Sequence, residues 1–368
     1  MILVIDCFKL VKGAGKSIGI YNLALNLVRN LVAEKARSAD STIQNTRILV
    51  LGTEQNAKDF KMEGVEFISM KYNPLNKLFC IFWELFLAPF YAKKYKADQI
   101  VYPRGFSSML HLTKETIIVH DMIPFYYDKH YPGFFNKLEN FYIMWRLKAS
   151  IKHCDKVITI SQASKQDILE YAHVREEKIE VINNGCNLIQ PVENQKQDYF
   201  IAITSGLPHK NAEGIVKSYE AYYKRVERPL SLKIIGIADC DEFSILQEAK
   251  GHIECYKYIA SNAEMHKMIA DARGFLFLSL VEGFGFPPLE AMQLKTAVIC
   301  SSISSLPEVV GDAALLVNPT DYKEVAVTME RLSQDEVLQE ELIERGSKNV
   351  ERFTWDKIVK QYWKALVG

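Results

Sequence analysis

The feature that most constrains the fold of this chain is a regular alternation of short apolar runs with helical patterns. Seven apolar runs come first, at 2–6, 47–52, 65–70, 99–103, 116–121, 156–161 and 178–185. Six more follow, at 199–204, 231–237, 252–258, 274–280, 296–301 and 313–318. Amphipathic patterns such as 20–33 and 135–152 lie between them. Continuous apolar strands that alternate with helices predict parallel sheets covered on both faces.

The two sets of runs predict two doubly wound domains. A polar stretch at 194–197 separates the sets, and 368 residues are ample for two domains. The boundary is therefore expected between 184 and 197. In such folds ligands bind outside the carboxyl ends of the strands, so we expect a site in a cleft between the two domains.

Composition excludes several classes of function. Lys plus Arg and Asp plus Glu both number 45, which argues against nucleic acid as a partner. The seven cysteines are scattered and none forms a C-x-x-C pair, so neither a zinc site nor a disulfide framework is indicated. The first residues lack a basic leader, so we expect no signal peptide and a cytoplasmic location.

A glycine loop after the first apolar run contains GKS at 15–17, which is how a P-loop ends. Leu10 stands where the first P-loop glycine belongs, so we do not expect a nucleotide hydrolase. Two interpretations remain open at this point. Gly15 allows a tight turn in another kind of phosphate cradle, or Ser17 simply caps the helix that follows.

The strongly apolar segment 75–96 is interrupted by charges and by Pro89, and it is too short to span a membrane. One interpretation is a buried helix packed on a sheet. The other is an interfacial helix that makes peripheral membrane contact. In that case the aromatic residues near the bilayer are Trp83, Phe86, Phe90 and Tyr91, and the lysines facing anionic lipid are Lys93, Lys94 and Lys96.

The stretch SLVEGFGFPPLEAM at 279–292 is the most informative for chemistry. Gly283 and Gly285 allow backbone conformations closed to other residues, and the amides at the start of the following helix form an anion site. Glu282 and Glu290 flank this site. Carboxylates repel a phosphate but accept hydrogen bonds from sugar hydroxyls. Taken singly, they also fit an exposed loop acid and a charge that complements the helix dipole.

The pattern E-G-F-G-x-P-x-x-E in this stretch resembles the signature of family 4 glycosyltransferases, which are retaining enzymes with the GT-B fold. Other stretches resemble the family in the same order: HDMIP, DKVITISQASKQDI, VINNG, SGLPHKN and SSLPEVVGDAALLVNP, at 120–124, 155–168, 181–185, 205–211 and 304–319. The resemblance covers nearly the whole chain. It implies an acceptor-side domain at 1–187, a nucleotide-sugar domain at 188–350, and a final helix at 351–368 that returns to the first domain.

The resemblance also implies roles for individual residues. Lys210 would neutralise charge on the departing diphosphate, Glu282 would face the donor sugar, and His120 would lie near its reacting face. Glu290 would bind the ribose hydroxyls. The remaining donor-binding residues implied are Gly283, Phe284, Gly285, Ser205, Gly15 and Ser17. The chain departs from the family pattern where His209 precedes the lysine and where Ser17 replaces a glycine.

The expected function is transfer of a hexose-type sugar, such as mannose, from a nucleotide-diphosphate sugar to a hydroxyl. The acceptor is expected to be a glycan or a lipid-linked glycan of a cell-surface polysaccharide, at the inner face of the membrane. The family resemblance implies retention of configuration, no metal and no cofactor. The alternatives are a nucleotide-sugar epimerase or a phosphorylase on the same fold, or an inactive sugar-binding subunit. The sequence does not fix the base, the sugar or the acceptor.

Overall fold

The computed structural model describes residues 1–13 and 18–367. The chain forms two compact units. One consists of Met1–Gly185 together with Trp355–Gly368, and the other is Cys186–Thr354. We call them the amino-terminal and the carboxy-terminal unit.

The amino-terminal unit contains a seven-stranded parallel sheet in the order β3-β2-β1-β4-β5-β6-β7. Its strands are β1 Ile2–Asp6, β2 Arg47–Thr53, β3 Val65–Met70, β4 Gln99–Tyr102, β5 Lys114–Val119, β6 Lys156–Thr159 and β7 Ile179–Val181. The strand order reverses between β1 and β4, which is the mark of a doubly wound sheet.

The carboxy-terminal unit contains a six-stranded parallel sheet in the order β10-β9-β8-β11-β12-β13. Its strands are β8 Gln197–Ile203, β9 Ser231–Ile235, β10 Ile253–Tyr256, β11 Ala272–Phe277, β12 Ala297–Ser301 and β13 Ala314–Val317. The order reverses between β8 and β11. The predicted α/β class with two Rossmann-like, doubly wound domains is confirmed, and each predicted apolar run overlaps one strand.

Helices connect the strands of both sheets. In the amino-terminal unit they are α1 Ile18–Arg37, α2 Ser41–Gln44, α3 Ala57–Phe60, α4 Lys77–Phe82, α5 Ala88–Lys94, α6 Ile123–His130, α7 Lys137–His153 and α8 Gln162–Ala172. The helices of the carboxy-terminal unit are α9 Ala212–Tyr223, α10 Gln247–Lys250, α11 Asn262–Asp271, α12 Phe286–Gln293, α13 Leu306–Val310, α14 Tyr322–Gln334 and α15 Glu336–Val350.

The last helix, α16 Trp355–Val367, packs on the amino-terminal unit. The indole of Trp363 is buried and donates a hydrogen bond to the carbonyl of Leu31 in α1 at 3.2 Å. The ammonium group of Lys156 donates to the carbonyl of Ala365 at 2.6 Å. The final helix is therefore bonded both to α1 and to the start of β6.

The segment 75–96 is partly buried and partly exposed. Trp83 is fully buried and its ring stacks on Phe8 at a centroid distance of 4.2 Å, so the interpretation that places Trp83 near a bilayer is wrong for this residue. Leu78, Phe82 and Phe90 are exposed, at 80%, 48% and 55% of their surface. Within the described residues, no helix is both long and apolar enough to cross a membrane.

A π-helical turn, Trp83–Leu87, joins α4 to α5. Pro89 has no backbone N–H, so it cannot donate to the carbonyl four residues earlier, that of Leu85. That carbonyl instead accepts a hydrogen bond from the amide of Met109 at 3.1 Å. The proline thereby ties the loop between β4 and β5 to this helical segment.

Candidate functional site

Two loops of the carboxy-terminal unit begin where the strand order of its sheet reverses. The strands β8 and β11 are neighbours in the sheet, although β9 and β10 separate them in the sequence. Such a reversal opens a crevice at the carboxyl ends of the strands, where doubly wound proteins bind ligands. The loop after β8 carries Ser205 and Lys210, and the loop after β11 carries Glu282 and residues 283–285.

Glycine is required at position 285, where the second loop enters α12. The φ angle of Gly285 is 111°, in a region that residues with side chains rarely adopt. A Cβ atom here would also lie 2.5 Å from Cδ2 of Leu306. Pro287 and Pro288 then occupy the first turn of the helix, where a missing N–H costs no helical hydrogen bond.

Two serines fix the backbone of this loop. The hydroxyl of Ser304 accepts from the amide of Glu282 at 3.0 Å and lies 2.9 Å from its carbonyl oxygen. The hydroxyl of Ser305 donates to the carbonyl of Phe284 at 2.8 Å. The ring of Phe284 is buried edge-on against Phe353, with centroids 5.4 Å apart. The loop is therefore held in place by the protein itself.

Lys210 and Glu282 form an ion pair, with Nζ of the lysine 2.5 Å from Oε1 of the glutamate. Their side chains are 25% and 11% exposed, so solvent and ligands can reach the pair. The amide of Leu280 donates to the carbonyl of His209 at 2.7 Å and joins the two loops. The structure thus brings together two of the three predicted catalytic residues, and an anionic ligand here would compete with Glu282 for the lysine.

The backbone of Lys210 is held on both sides. Its carbonyl accepts a hydrogen bond from the hydroxyl of Thr204 at 2.8 Å. Asn211 follows in the left-handed conformation, with φ 56° and ψ 43°. Its side-chain amide donates to the carbonyls of Leu278 at 2.9 Å and Pro319 at 3.0 Å. The lysine therefore projects from a rigid turn.

His209 carries no positive charge at neutral pH. Burial, together with the neighbouring charge of Lys210, lowers the pKa of this histidine to about 4. The departure from the family pattern at this position therefore does not add a second cation to the loop. Ser205, another predicted donor-binding residue, is half-buried in the same loop, and its hydroxyl lies 3.4 Å from the amide of Leu207.

Glu290 lies one turn into α12 and is largely shielded from solvent. Burial raises the pKa of its carboxyl group. Within residues 1–13 and 18–367, this carboxyl group has no hydrogen-bond partner. A carboxylate in such surroundings is costly unless it is hydrogen-bonded, so neighbouring hydroxyls of a ligand would stabilise it.

Two predicted donor-binding residues, Gly15 and Ser17, lie outside the described residues. Gly283 and Gly285 lie in the loop of Glu282, and Phe284 contributes a buried ring as well as its backbone. In the described part of the chain, no group of three or more His, Cys, Asp or Glu side chains is arranged to hold a metal ion.

His120 belongs to the amino-terminal unit and directly follows β5. Its Nε2 lies 2.8 Å from the carbonyl oxygen of Pro103, so this nitrogen carries a hydrogen and donates it. Burial lowers the pKa of His120, so its imidazole is neutral at pH 7. In this tautomer Nδ1 is a hydrogen-bond acceptor.

His120 lines a cavity of about 1020 Å³ within the amino-terminal unit, together with Lys9, Glu84 and Arg104. Arg104 forms a close ion pair with Glu84. Sequence reasoning missed these three residues. A signal was present, because Lys9 and Arg104 follow β1 and β4, the neighbouring strands at which the order of the sheet reverses.

Asp6, at the end of β1, is bonded to Trp83, the residue before the cavity-lining Glu84. Its Oδ1 accepts hydrogen bonds from the amide of Phe8 at 3.1 Å and from Nε1 of Trp83 at 3.0 Å. Burial raises the pKa of Asp6 to about 7. Because Trp83 directly precedes Glu84, this interaction positions the glutamate that holds Arg104.

Two family models together match most of the chain. Residues 24–190 match the model described as Glycosyltransferase Family 4, and residues 188–349 match that described as Glycosyl transferases group 1. The chain is 31% identical over 263 residues to an O-antigen chain mannosyltransferase, RfbU, of Salmonella typhimurium, covering 70% of this chain and 69% of the relative. It is 25% identical to O-antigen chain mannosyltransferase B of Escherichia coli, covering 72% of this chain and 73% of the relative.

A solved structure shares the fold along the whole chain. The crystal structure of WaaG, a glycosyltransferase involved in lipopolysaccharide biosynthesis, superposes with a TM-score of 0.68 and covers 100% of both chains. Its sequence is 12% identical, so this likeness concerns the fold alone.

The raised pKa of Asp6 predicts a pH-dependent effect of Asp6→Asn on stability. Between pH 3.8, the ordinary value, and about 7, the folded protein keeps a proton that the unfolded chain loses. The free energy of unfolding of the wild type therefore falls as the pH rises through this window. Asparagine keeps the Oδ1 acceptor and has no proton to lose, so we expect the variant to gain stability relative to wild type from pH 4 to 7, by a few kcal/mol at roughly 1.4 kcal/mol per pKa unit.

Thermal unfolding followed by tryptophan fluorescence measures this effect in the relevant unit. All four tryptophans, Trp83, Trp145, Trp355 and Trp363, belong to the amino-terminal unit. Asp128→Asn, at an exposed position of the same unit, is the matched control. If Asp6→Asn and wild type differ in stability by the same amount at pH 5 and at pH 8, the raised pKa of Asp6 is contradicted.

Proposed function

This chain is a glycosyltransferase of family 4, and we propose that it transfers a hexose, mannose, from a nucleotide-diphosphate sugar to a hydroxyl of a growing surface polysaccharide. The observation that carries the proposal is the Lys210–Glu282 pair on the glycine loop that leads into α12, with Glu290 in the same helix. A cation, backbone amides at a helix start and a carboxylate without a partner in the described residues suit a diphosphate and a ribose.

The proposed reaction replaces one bond at the anomeric carbon of the donor sugar. The acceptor hydroxyl forms a new C–O bond on the face from which the diphosphate departs, and configuration is retained. The bond between the anomeric carbon and the diphosphate oxygen breaks, and the nucleoside diphosphate leaves with the electron pair. The hydroxyl proton passes to the leaving phosphate. Lys210 stabilises the charge that grows on this phosphate.

The choice of sugar and product rests on the relatives. Those reported above are named for adding mannose to O-antigen chains. We assign the donor to the carboxy-terminal unit, and the acceptor to the cavity that contains His120.

Replacing Glu290 tests the donor site. If its carboxylate accepts from the ribose hydroxyls, two charge-assisted hydrogen bonds of about 1.5–3 kcal/mol each are lost in Glu290→Ala. We expect the affinity for the matching nucleoside diphosphate among UDP, GDP and dTDP to fall at least tenfold in calorimetric titration. Glu264→Ala, at an exposed first-turn position of α11, is the control. Equal affinities of Glu290→Ala and wild type would refute the role.

Replacing Lys210 tests how the leaving group is stabilised. Because charge on the diphosphate grows as the bond breaks, Lys210→Ala should lower kcat by at least a hundredfold and change KM for the donor much less. The double variant Lys210→Ala/Glu282→Gln avoids leaving an unpaired carboxylate and should be equally slow. Activity of the wild type should survive EDTA. Loss of activity in EDTA that Mn²⁺ restores would contradict metal-independent catalysis.

The segment 75–96 carries the proposal of peripheral membrane contact. Because Trp83 lies in the core, the apolar residues that would contact the membrane are Leu78, Phe82 and Phe90. The charged residues that would contact it are the lysines at the end of α5. Each lysine is worth about 1 kcal/mol near an anionic surface. We expect wild type to sediment with anionic vesicles at low salt, and Leu78→Ser/Phe82→Ser to sediment less. Val337→Ser, exposed on the other unit, is the control. Wild type remaining in the supernatant would refute this contact.

A further inference from the structure

Three serines at and just after the end of β12 bond to the loop that follows β11. The two strands pair in parallel as far as Cys300. Beyond this point the buried hydroxyl of Ser301 donates to the carbonyl of Ser279 at 2.7 Å. Ser304 and Ser305 bond to the backbone farther along the same loop. Serine side chains therefore continue the pairing of the two strands into the loops that follow them.

Ser304 is bonded to both backbone groups of a single residue. Its hydroxyl accepts from the amide of Glu282 at 3.0 Å and donates to the carbonyl of the same residue at 2.9 Å. A hydroxyl can do both, because it has one hydrogen and two lone pairs. The two bonds fix the backbone of Glu282, and with it the direction in which the carboxylate leaves the loop. That carboxylate lies 2.5 Å from Nζ of Lys210.

This arrangement goes against the local preferences of both serines. The φ angle of Ser304 is 60°, which is uncommon for a residue with a side chain. Ser305 is the N-cap residue of α13, yet its hydroxyl makes no capping hydrogen bond and donates instead to the carbonyl of Phe284 at 2.8 Å. Strained residues and broken local rules concentrate at functional sites. The two serines therefore serve the loop of Glu282 at the expense of their own segment.

We propose that Ser304 is a positioning residue of the transfer reaction. Its hydroxyl directs the carboxylate of Glu282, and this carboxylate holds the ammonium group of Lys210 ready for the departing diphosphate. Ser304 acts through Glu282 and contacts no reacting atom itself. The inference rests on the proposed function, because it deepens the roles given there to Glu282 and Lys210.

Acetylation of lysines in the ligand-free protein, followed by mass spectrometry, tests the positioning directly. Only the neutral amine reacts, and a nearby carboxylate favours the charged form, so a loosened Glu282 makes Lys210 more reactive. We expect Ser304→Ala and Ser304→Gly each to raise the labelling rate of Lys210 about threefold. Glu282→Gln sets the upper limit. Lys348, paired with Glu344 at the surface of the same unit, is the internal reference and should not change.

The glycine variant separates the hydroxyl from the shape of the turn. Glycine adopts a φ angle of 60° without strain, so Ser304→Gly keeps the turn and removes only the two hydrogen bonds. If this variant labels and turns over like wild type, the turn alone matters and the inference is overturned. Ser302→Ala, at an exposed position of the same loop, is the matched control.

A double-variant cycle shows whether Ser304 acts through Glu282. In the Glu282→Gln background, Ser304→Ala should leave the labelling rate of Lys210 unchanged, since residues that act through one another are not additive. The same fold-increase in both backgrounds would overturn the inference.

Kinetics show whether the positioning serves the reaction. We expect Ser304→Ala and Ser304→Gly to lower kcat about tenfold, because charge on the diphosphate grows as the bond breaks. The affinity for the nucleoside diphosphate, which depends on Glu290, should stay within about twofold. An unchanged kcat beside faster labelling of Lys210 would overturn the inference, because Ser304 would then shape the ion pair without serving catalysis.

The outcomes distinguish this inference from the proposed function. Labelling needs neither donor nor acceptor, so it decides whether Ser304 positions the pair even if no nucleotide sugar supports transfer. Equal affinities of Glu290→Ala and wild type for the nucleoside diphosphate would refute the donor site and leave the labelling result unchanged. Conversely, wild-type labelling of Lys210 in both Ser304 variants would overturn the inference and leave donor binding through Glu290 intact.

Discussion

Parallel strands all end at the same edge of their sheet, and the two candidate sites depend on this constraint. Where the order reverses, between β8 and β11 and between β1 and β4, two loops emerge side by side without crossing the sheet. Lys210 and Glu282 meet in this way although 72 positions separate them. Arg104 and Lys9 likewise line one cavity. The helices between the strands cover the apolar faces of each sheet, and the polar loops lie at the edges where the strands end.

In each unit a cationic side chain is paired with a carboxylate, and a neutral histidine belongs to the same loop or lines the same cavity. The pairs are Lys210 with Glu282 and Arg104 with Glu84, and burial keeps His209 and His120 uncharged. A partly buried ion pair adds little stability, since desolvation offsets its Coulomb energy. Its effect is to hold a long cationic side chain in one position. In the proposed function, the diphosphate of the donor would replace the carboxylate of Glu282 with little movement of Lys210, as stabilisation of a leaving group requires.

The sequence predicts the strands well because continuous apolar runs in a doubly wound sheet are buried on both faces. β5, for example, ends at Val119 inside the predicted run 116–121, and the polar His120 that follows lines the cavity. The family resemblance predicted the residues of the two loops that carry Lys210 and Glu282. It did not predict the contact between these two side chains, because that contact depends on which strands are neighbours in the sheet. Lys9 and Arg104 were missed for the same reason. Each is unremarkable in the sequence, and only the sheet order brings them to one cavity.

In the segment 75–96, helical periodicity alone does not predict which residues are buried. In a regular α-helix, residues eight apart differ by about 80° in direction, so Trp83 and Tyr91 would lie towards opposite edges of one helix face. The π-helical turn changes this, and their rings stack at 5.6 Å in the core. Pro89 cannot donate to the carbonyl of Leu85, and the amide of Met109 in the next loop donates to it. The loop so anchored also carries Arg104. The loop that carries Arg104 is thus tied to this helical segment through a carbonyl that Pro89 cannot pair.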